Sequence, residues 1–353
     1  MGFILGSLLG AVICYHTGLQ VPVILLMSLT GAATFFLLAF GTKAIAGKEI
    51  IVYYHHEISI LIMCTLVLKV TGLPVLPYLD ISILGIATFL AFGRIGCFSV
   101  GCCHGKPNKR GVVYGHDHVK AGFTYYYEGI PLLPVQLIES VFVFVIIICS
   151  SIILFLHCKP GTVLILYTVV YGTFRFILEF FRGDAERPYF RGLSEAQWTT
   201  LLLIAISILF GIGGLLPLYN WHIIMAASLF VGSIIVILRN SLGNKITNPR
   251  HVRQIAIALN KIYSEEFSLP DKQKSQLSVN IFQTNLGLKL SKGQLTQMPS
   301  FVNHYTISSK AKTPLTYPVV QKLAILIQQL QKHNTQFEIY EKQHAVFHIL
   351  FKE

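Results

Sequence analysis

Arg94, Glu139, Arg175 and Glu179 all stand inside apolar runs of this chain, and any chemistry is to be sought there. Arg94 lies near the end of one run, in GRIGCFSVGCCHGKP (93–107), with Gly93 and Gly96 close on either side. Arg175 and Glu179 close another run, YGTFRFILEFFRGD (171–184), and Arg182 follows them. Glu139 comes three residues after Gln136 in PVQLIES (134–140). A charge at the centre of a bilayer costs at least about 2.5–3.5 kcal/mol, so it is rarely kept without a role. Spacing of i, i+4 and i+7 places Arg175, Glu179 and Arg182 on one helix face, and i, i+3 does the same for Gln136 and Glu139. These groups are expected to pair around a polar cavity. Guanidinium groups stay charged and grip phosphate as a fixed fork, so the chemistry on offer is anion stabilisation. The plainer alternatives are an ion-pair cluster that only holds helices in register and, for Arg94, a side chain that snorkels to the interface.

A possible proton acceptor opens the third apolar run, YYHHEIS (53–59). His56 can take a proton near neutral pH, or it can be a wet interfacial residue, as can His55. Cys97, Cys102, Cys103 and His104 combine thiols with an imidazole. Zinc would accept such donors, but the spacing C-x4-C-C-H fits no usual zinc motif, and a disulfide or simple packing are the other readings. The expectation is that no metal and no cofactor is used.

The elements that must position these residues are membrane helices. Charged residues make up only 12% of the chain and apolar ones 53%, which excludes an ordinary soluble protein. Runs at roughly 2–17, 21–43, 56–72, 79–98, 136–157, 162–181, 197–216 and 221–238 approach the ~20 residues that cross a bilayer. The fold class expected is an all-α polytopic bundle of seven to eight transmembrane helices with a small C-terminal α/β soluble domain. The domains read as 1–240 and 241–353, with the polar stretch 99–135 as a lid or head over the first. That stretch holds the aromatic cluster Phe123, Tyr125, Tyr126 and Tyr127, expected to line an entrance for lipid. In the tail, Val252–Tyr263 and Val319–Gln331 show helical periodicity, and Ser278–Gln283, Phe337–Glu341 and Ala345–Leu350 read as strands. The net charge of +12 points to lipid headgroups or an anionic substrate, with the bilayer as setting and no nucleic acid as partner, since no motif for one is present. The basic residues concentrate on one face of the membrane part, which the positive-inside rule alone would place in the cytoplasm.

Three blocks carry a family resemblance. GRIGCFSVGCCHG resembles the signature GRIGNFINGE-x-x-G of prolipoprotein diacylglyceryl transferases, PVQLIE resembles that family's P-S-Q-L-Y-E, and YGTFRFILEFFR its Y-G-x-x-R-F-x-x-E-x-x-R. They occur in the family's order and cover roughly residues 1–216. The resemblance implies transfer of diacylglyceryl from phosphatidylglycerol to the lipobox cysteine of a lipoprotein precursor, with glycerol 1-phosphate released, in the bacterial plasma (inner) membrane by a multi-pass protein. It implies catalytic roles for Arg94, Arg175 and Glu179, with His56 as the loosely matched base. It implies substrate contacts from Gly96, Cys97, Cys102, Gly105, Gln136, Glu139, Tyr171 and Arg182, and an active face outside the cytoplasm, against the charge bias. The family's Asn falls at Cys97 and its signature Glu at Cys102, and YYHHE replaces its H-G-G-L. Those departures keep open a phospholipid-dependent transferase with another acceptor, or a non-catalytic protein that binds anionic lipid.

Overall fold

The computed structural model describes residues 1–47, 52–185, 187–238, 245–268, 281–294, 302–309, 315–332, 336–343 and 345–352. The chain divides into two compact units, one of 1–99, 135–180 and 193–237, the other of 100–134, 181–192 and 238–353.

The first unit is helical. It is built from α1 (Gly2–Thr17), α2 (Val21–Ala46), α3 (Tyr53–Val70), α4 (Val75–Val100, as far as Ser99), α6 (Val135–Phe155), α7 (Thr162–Leu178), α8 (Glu195–Ile212) and α9 (Asn220–Leu238). These eight helices fall where the eight apolar runs were read. Among the described residues, six are long and apolar enough to cross a membrane, while α1 is apolar but shorter. α3 opens with His55, His56 and Glu57 and ends on Lys69, which lowers its hydropathy. Leu29, Leu37, Val141, Ile148, Leu209 and Ile224 are exposed, and an apolar surface so extensive requires hydrocarbon around it. The chain is a multi-pass membrane protein.

Local chemistry sets the ends of these helices. α1 stops at Gly18, whose φ of 71° is left-handed and costs glycine little. α8 starts with a capping box, in which Ser194 accepts from Gln197 N and Gln197 Oε1 accepts from Ser194 N. α7 borrows its cap. The buried Asp80 of α4 accepts hydrogen bonds from Gly161 N at 2.6 Å and Leu164 N at 2.7 Å, so a carboxylate sits on the positive end of α7. α1 and α4 approach so closely that a Cβ on Gly6 would lie 2.9 Å from Gly85 O.

The second unit mixes helices and strands. Loop residues form β1 (Pro107–Val113), the short α5 (His116–Lys120), a 3-10 turn at Tyr125–Tyr127, β2 (Pro131–Leu132) and β3 (Tyr189–Phe190); β4 (Leu193–Ser194) belongs to the first unit. The tail supplies α10 (Pro249–Ser268), β5 (Phe282–Gln283), β6 (Leu288–Gln294), β7 (Val302–Ser309), α11 (Tyr317–Leu330), β8 (Phe337–Gln343) and β9 (Val346–Lys352). The five tail strands form an antiparallel sheet in the order β5-β6-β7-β9-β8. Strand alternation turns Tyr305, Ile307, Phe347, Ile349 and Phe351 to one face. There they pack with Val252, Ile255 and Leu259 of α10 and Leu323 and Ile327 of α11. Both helices and the last two strands were legible from periodicity. β6 and β7 were not read, the 278–280 part of an expected strand lies outside the described residues, and so does the expected boundary at 240.

The same core takes in Tyr114, Phe123, Tyr126, Tyr127, Ile130 and Leu132 of the 100–134 segment. Its aromatic cluster therefore does not line a lipid entrance as expected. Phe123, Tyr126 and Tyr127 are buried against the tail, and only Tyr125 of the four is exposed. Arg253 of α10 lies over the Tyr126 ring at 5.9 Å, and Arg250 Nε donates to Ala185 O at 3.3 Å.

Candidate active site

Four charged side chains interlock inside the helical unit. Arg94 projects from α4, Glu139 from the first turns of α6, and Arg175 from the last turn of α7; Glu179 begins the 3-10 turn after it. Arg94 Nε lies 2.8 Å from Glu139 Oε2. Arg175 Nε is 3.6 Å from Glu139 Oε1, and its Nη2 is 2.9 Å from Glu179 Oε2. Tyr171, one turn before Arg175, donates its hydroxyl to Glu139 Oε1 at 2.9 Å. All five residues are buried, with the Glu139 side chain at 0% exposure. At this depth a lone charge would be prohibitive, and alternation of sign is what makes the cluster tenable. Ser140, next to Glu139, donates to Ala91 O at 2.9 Å and so ties α6 to α4 one turn before Arg94. Gln136 is buried on the same stretch of α6.

A layer of tyrosines adjoins this cluster. Tyr167 stacks on Tyr171 with ring centroids 4.9 Å apart, and Tyr53 of α3 meets Tyr171 edge-on at 5.9 Å. The Tyr53 and Tyr167 hydroxyls are 2.7 Å apart, and the Tyr54 hydroxyl is 2.7 Å from Thr200 Oγ1 of α8. Glu57, buried at 5% exposure, lies beside Tyr53. Sequence reasoning passed over Tyr53, Tyr54 and Tyr167. The available signal was their spacing, since Tyr167, Tyr171 and Arg175 recur every fourth residue along one face of α7.

His56 is buried beside Glu57 but looks elsewhere. Its Nδ1 is 3.0 Å from Val52 O, and since a carbonyl can only accept, Nδ1 carries the hydrogen. Its ring lies 4.7 Å from Phe35 of α2, and no hydrogen bond or ion pair joins it to the arginine cluster among the described residues. Gly96 is exposed on α4 and Cys97 is half-buried.

Cys102, Gly105 and Arg182 belong to the second unit. α7 ends at Leu178 and tightens into the 3-10 turn Glu179–Phe181, so Arg182 does not continue the Arg175–Glu179 face. It is buried and pairs instead with Asp184, Nε to Oδ1 at 2.8 Å, while Arg187 Nε holds Asp184 Oδ2 at 2.6 Å. Burial by itself would raise the Asp184 pKa, but the two arginines outweigh it and hold the carboxyl well below its usual range. Gly105 N donates to Leu133 O, and Gly105 O accepts from His104 Nδ1 at 2.8 Å. A Cβ on Gly183 would come within 2.3 Å of Gly105 O, so glycine alone allows this crossing. Burial lowers the His104 pKa and favours the neutral ring. Cys102 is exposed, and no disulfide is formed among the described residues.

An apolar cleft of ≈ 300 Å³ among α1, α2, α3 and α4 is lined by Phe3, Gly10, Met27, Gly31, Ile60 and Phe89. Its walls are apolar, as a hydrocarbon chain would require.

The chain is similar to known proteins. A family model described as prolipoprotein diacylglyceryl transferase matches residues 1–213. The chain is 35% identical over 153 residues to the phosphatidylglycerol–prolipoprotein diacylglyceryl transferase of Clostridium tetani, covering 43% of this chain and 57% of the relative. It is 32% identical over 154 residues to a second such enzyme from Clostridium perfringens, covering 41% of this chain and 52% of the relative. The relative from Helicobacter hepaticus is 33% identical over 141 residues, or 38% of this chain and 45% of its own length. The chain spans about half the length of the curated relatives it matches.

Proposed function

Because this chain belongs to the prolipoprotein diacylglyceryl transferase family, we propose that it transfers diacylglyceryl from phosphatidylglycerol to a cysteine thiol of a lipoprotein precursor, in the bacterial plasma membrane, with glycerol 1-phosphate as the other product. One observation carries the reading: Arg94 and Arg175, from separate helices, converge on the single buried carboxylate of Glu139.

The reaction displaces a phosphate ester from a glyceryl carbon by sulfur. The leaving oxygen gathers negative charge as its bond to carbon breaks. Two fixed guanidinium groups meet that charge without reorganising, and the low dielectric of a buried site strengthens their effect. Glu139 and Glu179 hold the guanidinium planes in position, and Tyr171 fixes Glu139. The apolar cleft among α1–α4 supports a lipid donor, since an acyl chain would satisfy its walls.

The test is to reconstitute the full chain in vesicles of phosphatidylglycerol and to measure glycerol 1-phosphate release with and without a lipobox peptide. Peptide-dependent release with a lipid-modified peptide is expected. Release that ignores the peptide points to a phospholipid-dependent transferase with another acceptor. No release, with phosphatidylglycerol still bound, leaves a non-catalytic lipid-binding protein.

A further inference from the structure

We propose that Glu57 takes the proton of the acceptor thiol. The proposal deepens the transferase reading and rests on it. A thiol is a poor nucleophile until deprotonated, so the reaction needs a base within reach of the sulfur.

The buried acids of the helical unit are otherwise engaged. Asp80 caps α7, Glu139 bridges Arg94 and Arg175, and Glu179 pairs with Arg175. A carboxylate neutralised by a guanidinium is a weak base. Glu57 is equally buried, yet among the described residues no Lys, Arg or His lies within ion-pair distance of it. Tyr53 lies beside its carboxyl, and Oε2 has no hydrogen-bond partner among the described residues. A buried polar atom left in this way calls for an occupant.

Glu57 adjoins the tyrosine layer of the arginine cluster. Tyr53, one turn before it on α3, meets Tyr171 edge-on at 5.9 Å, and Tyr171 donates its hydroxyl to Glu139 at 2.9 Å. The titratable groups that face Glu57 are Tyr53 and Tyr54 on its own helix and Tyr167 from α7, with Tyr171 stacked behind Tyr167. His56, one residue away and about 100° around the helix, also has a buried Nε2 with no hydrogen-bond partner among the described residues, but its ring packs on Phe35 of α2.

The step balances. The thiol hydrogen passes to Glu57 Oε2, and the sulfur lone pair forms the bond to the glyceryl carbon. The carbon–oxygen bond breaks with its electron pair on the phosphate oxygen, between Arg94 and Arg175. The proton then leaves Glu57 for the departing phosphate monoester, and the carboxylate is restored.

The experiment uses the full chain in phosphatidylglycerol vesicles with a lipobox peptide. Peptide-dependent release by the unaltered protein first establishes the transferase reading; its absence overturns that reading and the role of Glu57 with it. In an active enzyme, Glu57→Gln is expected to lower kcat by about 100-fold or more, with KM for phosphatidylglycerol unchanged. Its residual rate should climb with pH from 6 to 9 without a plateau, as hydroxide replaces the lost base. Glu57→Asp should keep a plateau at reduced rate, and His56→Gln should stay within about threefold of the unaltered rate because its ring faces away. Tyr53→Phe, which spares the carboxylate and removes the neighbouring hydroxyl, should shift the midpoint of the rising limb, and it serves also if Glu57→Gln does not fold. A plateau retained in Glu57→Gln, an unmoved midpoint in Tyr53→Phe, or plateau loss in His56→Gln instead overturns the assignment.

Discussion

Arg94 Nε and Glu139 Oε2 lie 2.8 Å apart although a long folded loop separates them along the chain. The other oxygen of Glu139 serves Tyr171 and Arg175. One carboxylate thus fixes the distance between two cations. Glu139→Gln preserves shape and removes that charge, leaving two buried guanidiniums with one carboxylate between them. Breaking a buried pair from one side costs about 3–5 kcal/mol. The expected result is a clearly lower unfolding temperature in detergent together with loss of transfer. Unchanged thermal stability would show that the cluster is hydrated and unimportant to packing.

Arg175 makes contacts through two different nitrogens, Nε to Glu139 and Nη2 to Glu179. Lysine keeps the charge and loses the fork. Arg175→Lys is expected to lower glycerol 1-phosphate release by about 100-fold, the scale of one lost anion-stabilising donor, while the protein still folds and binds lipid. Wild-type turnover in this variant would remove the proposed role of the guanidinium.

Asp80 acts at the far end of the helix that carries Arg175. It accepts from two backbone N–H groups at the start of α7 and is 1% exposed. Asp80→Ala leaves those donors without their partner, at a cost of about 2–3 kcal/mol. Asp80→Asn retains one acceptor oxygen and should lose less. Thermal unfolding of the three proteins in the same detergent ranks them, and equal stabilities would refute the cap.

Tail and loop share one core in the second unit. Truncation after Leu238 removes Val252, Leu259, Leu323 and Ile327 from Phe123, Tyr126 and Tyr127. Hydrogen exchange of the segment 107–132 should accelerate by at least about tenfold, because loss of packing lets local opening dominate. Protection left intact in the truncated chain would mean that the loop folds without the tail.

His104, His251, His304 and His348 of the second unit all have their pKa values lowered by burial. The unfolded chain therefore binds protons that the folded chain resists. Stability is fully present above the unfolded value of about 6.5 and falls as pH drops below it. Unfolding temperature should decrease between pH 7 and pH 5, and His104→Gln should flatten part of that slope. Asp184 acts in the opposite range: its depressed pKa contributes stability above the ordinary carboxylate range, lost only in strong acid. A flat profile from pH 7 to pH 5 would show that these rings are hydrated.

Burial costs made part of this protein legible from its residues alone. Arginine and glutamate inside apolar runs are too expensive to be incidental, so Arg94, Glu139, Arg175 and Glu179 stood out, and hydropathy placed the eight helices that carry them. Helical periodicity likewise exposed α10 and α11, whose apolar faces repeat with the turn of the helix. Tertiary structure decided the partners. That Arg94 meets Glu139 depends on how α4 packs against α6, which no spacing within a helix encodes. Arg182 left the Arg175 face because α7 ends at Leu178 and the chain tightens into a 3-10 turn. Phe123, Tyr126 and Tyr127 resembled membrane-interface residues, yet they are buried by helices more than a hundred residues further along the chain. The sequence singled out His56 as the base and passed over its neighbour Glu57, and the 100° turn of a helix set the His56 ring against Phe35 and Glu57 beside Tyr53.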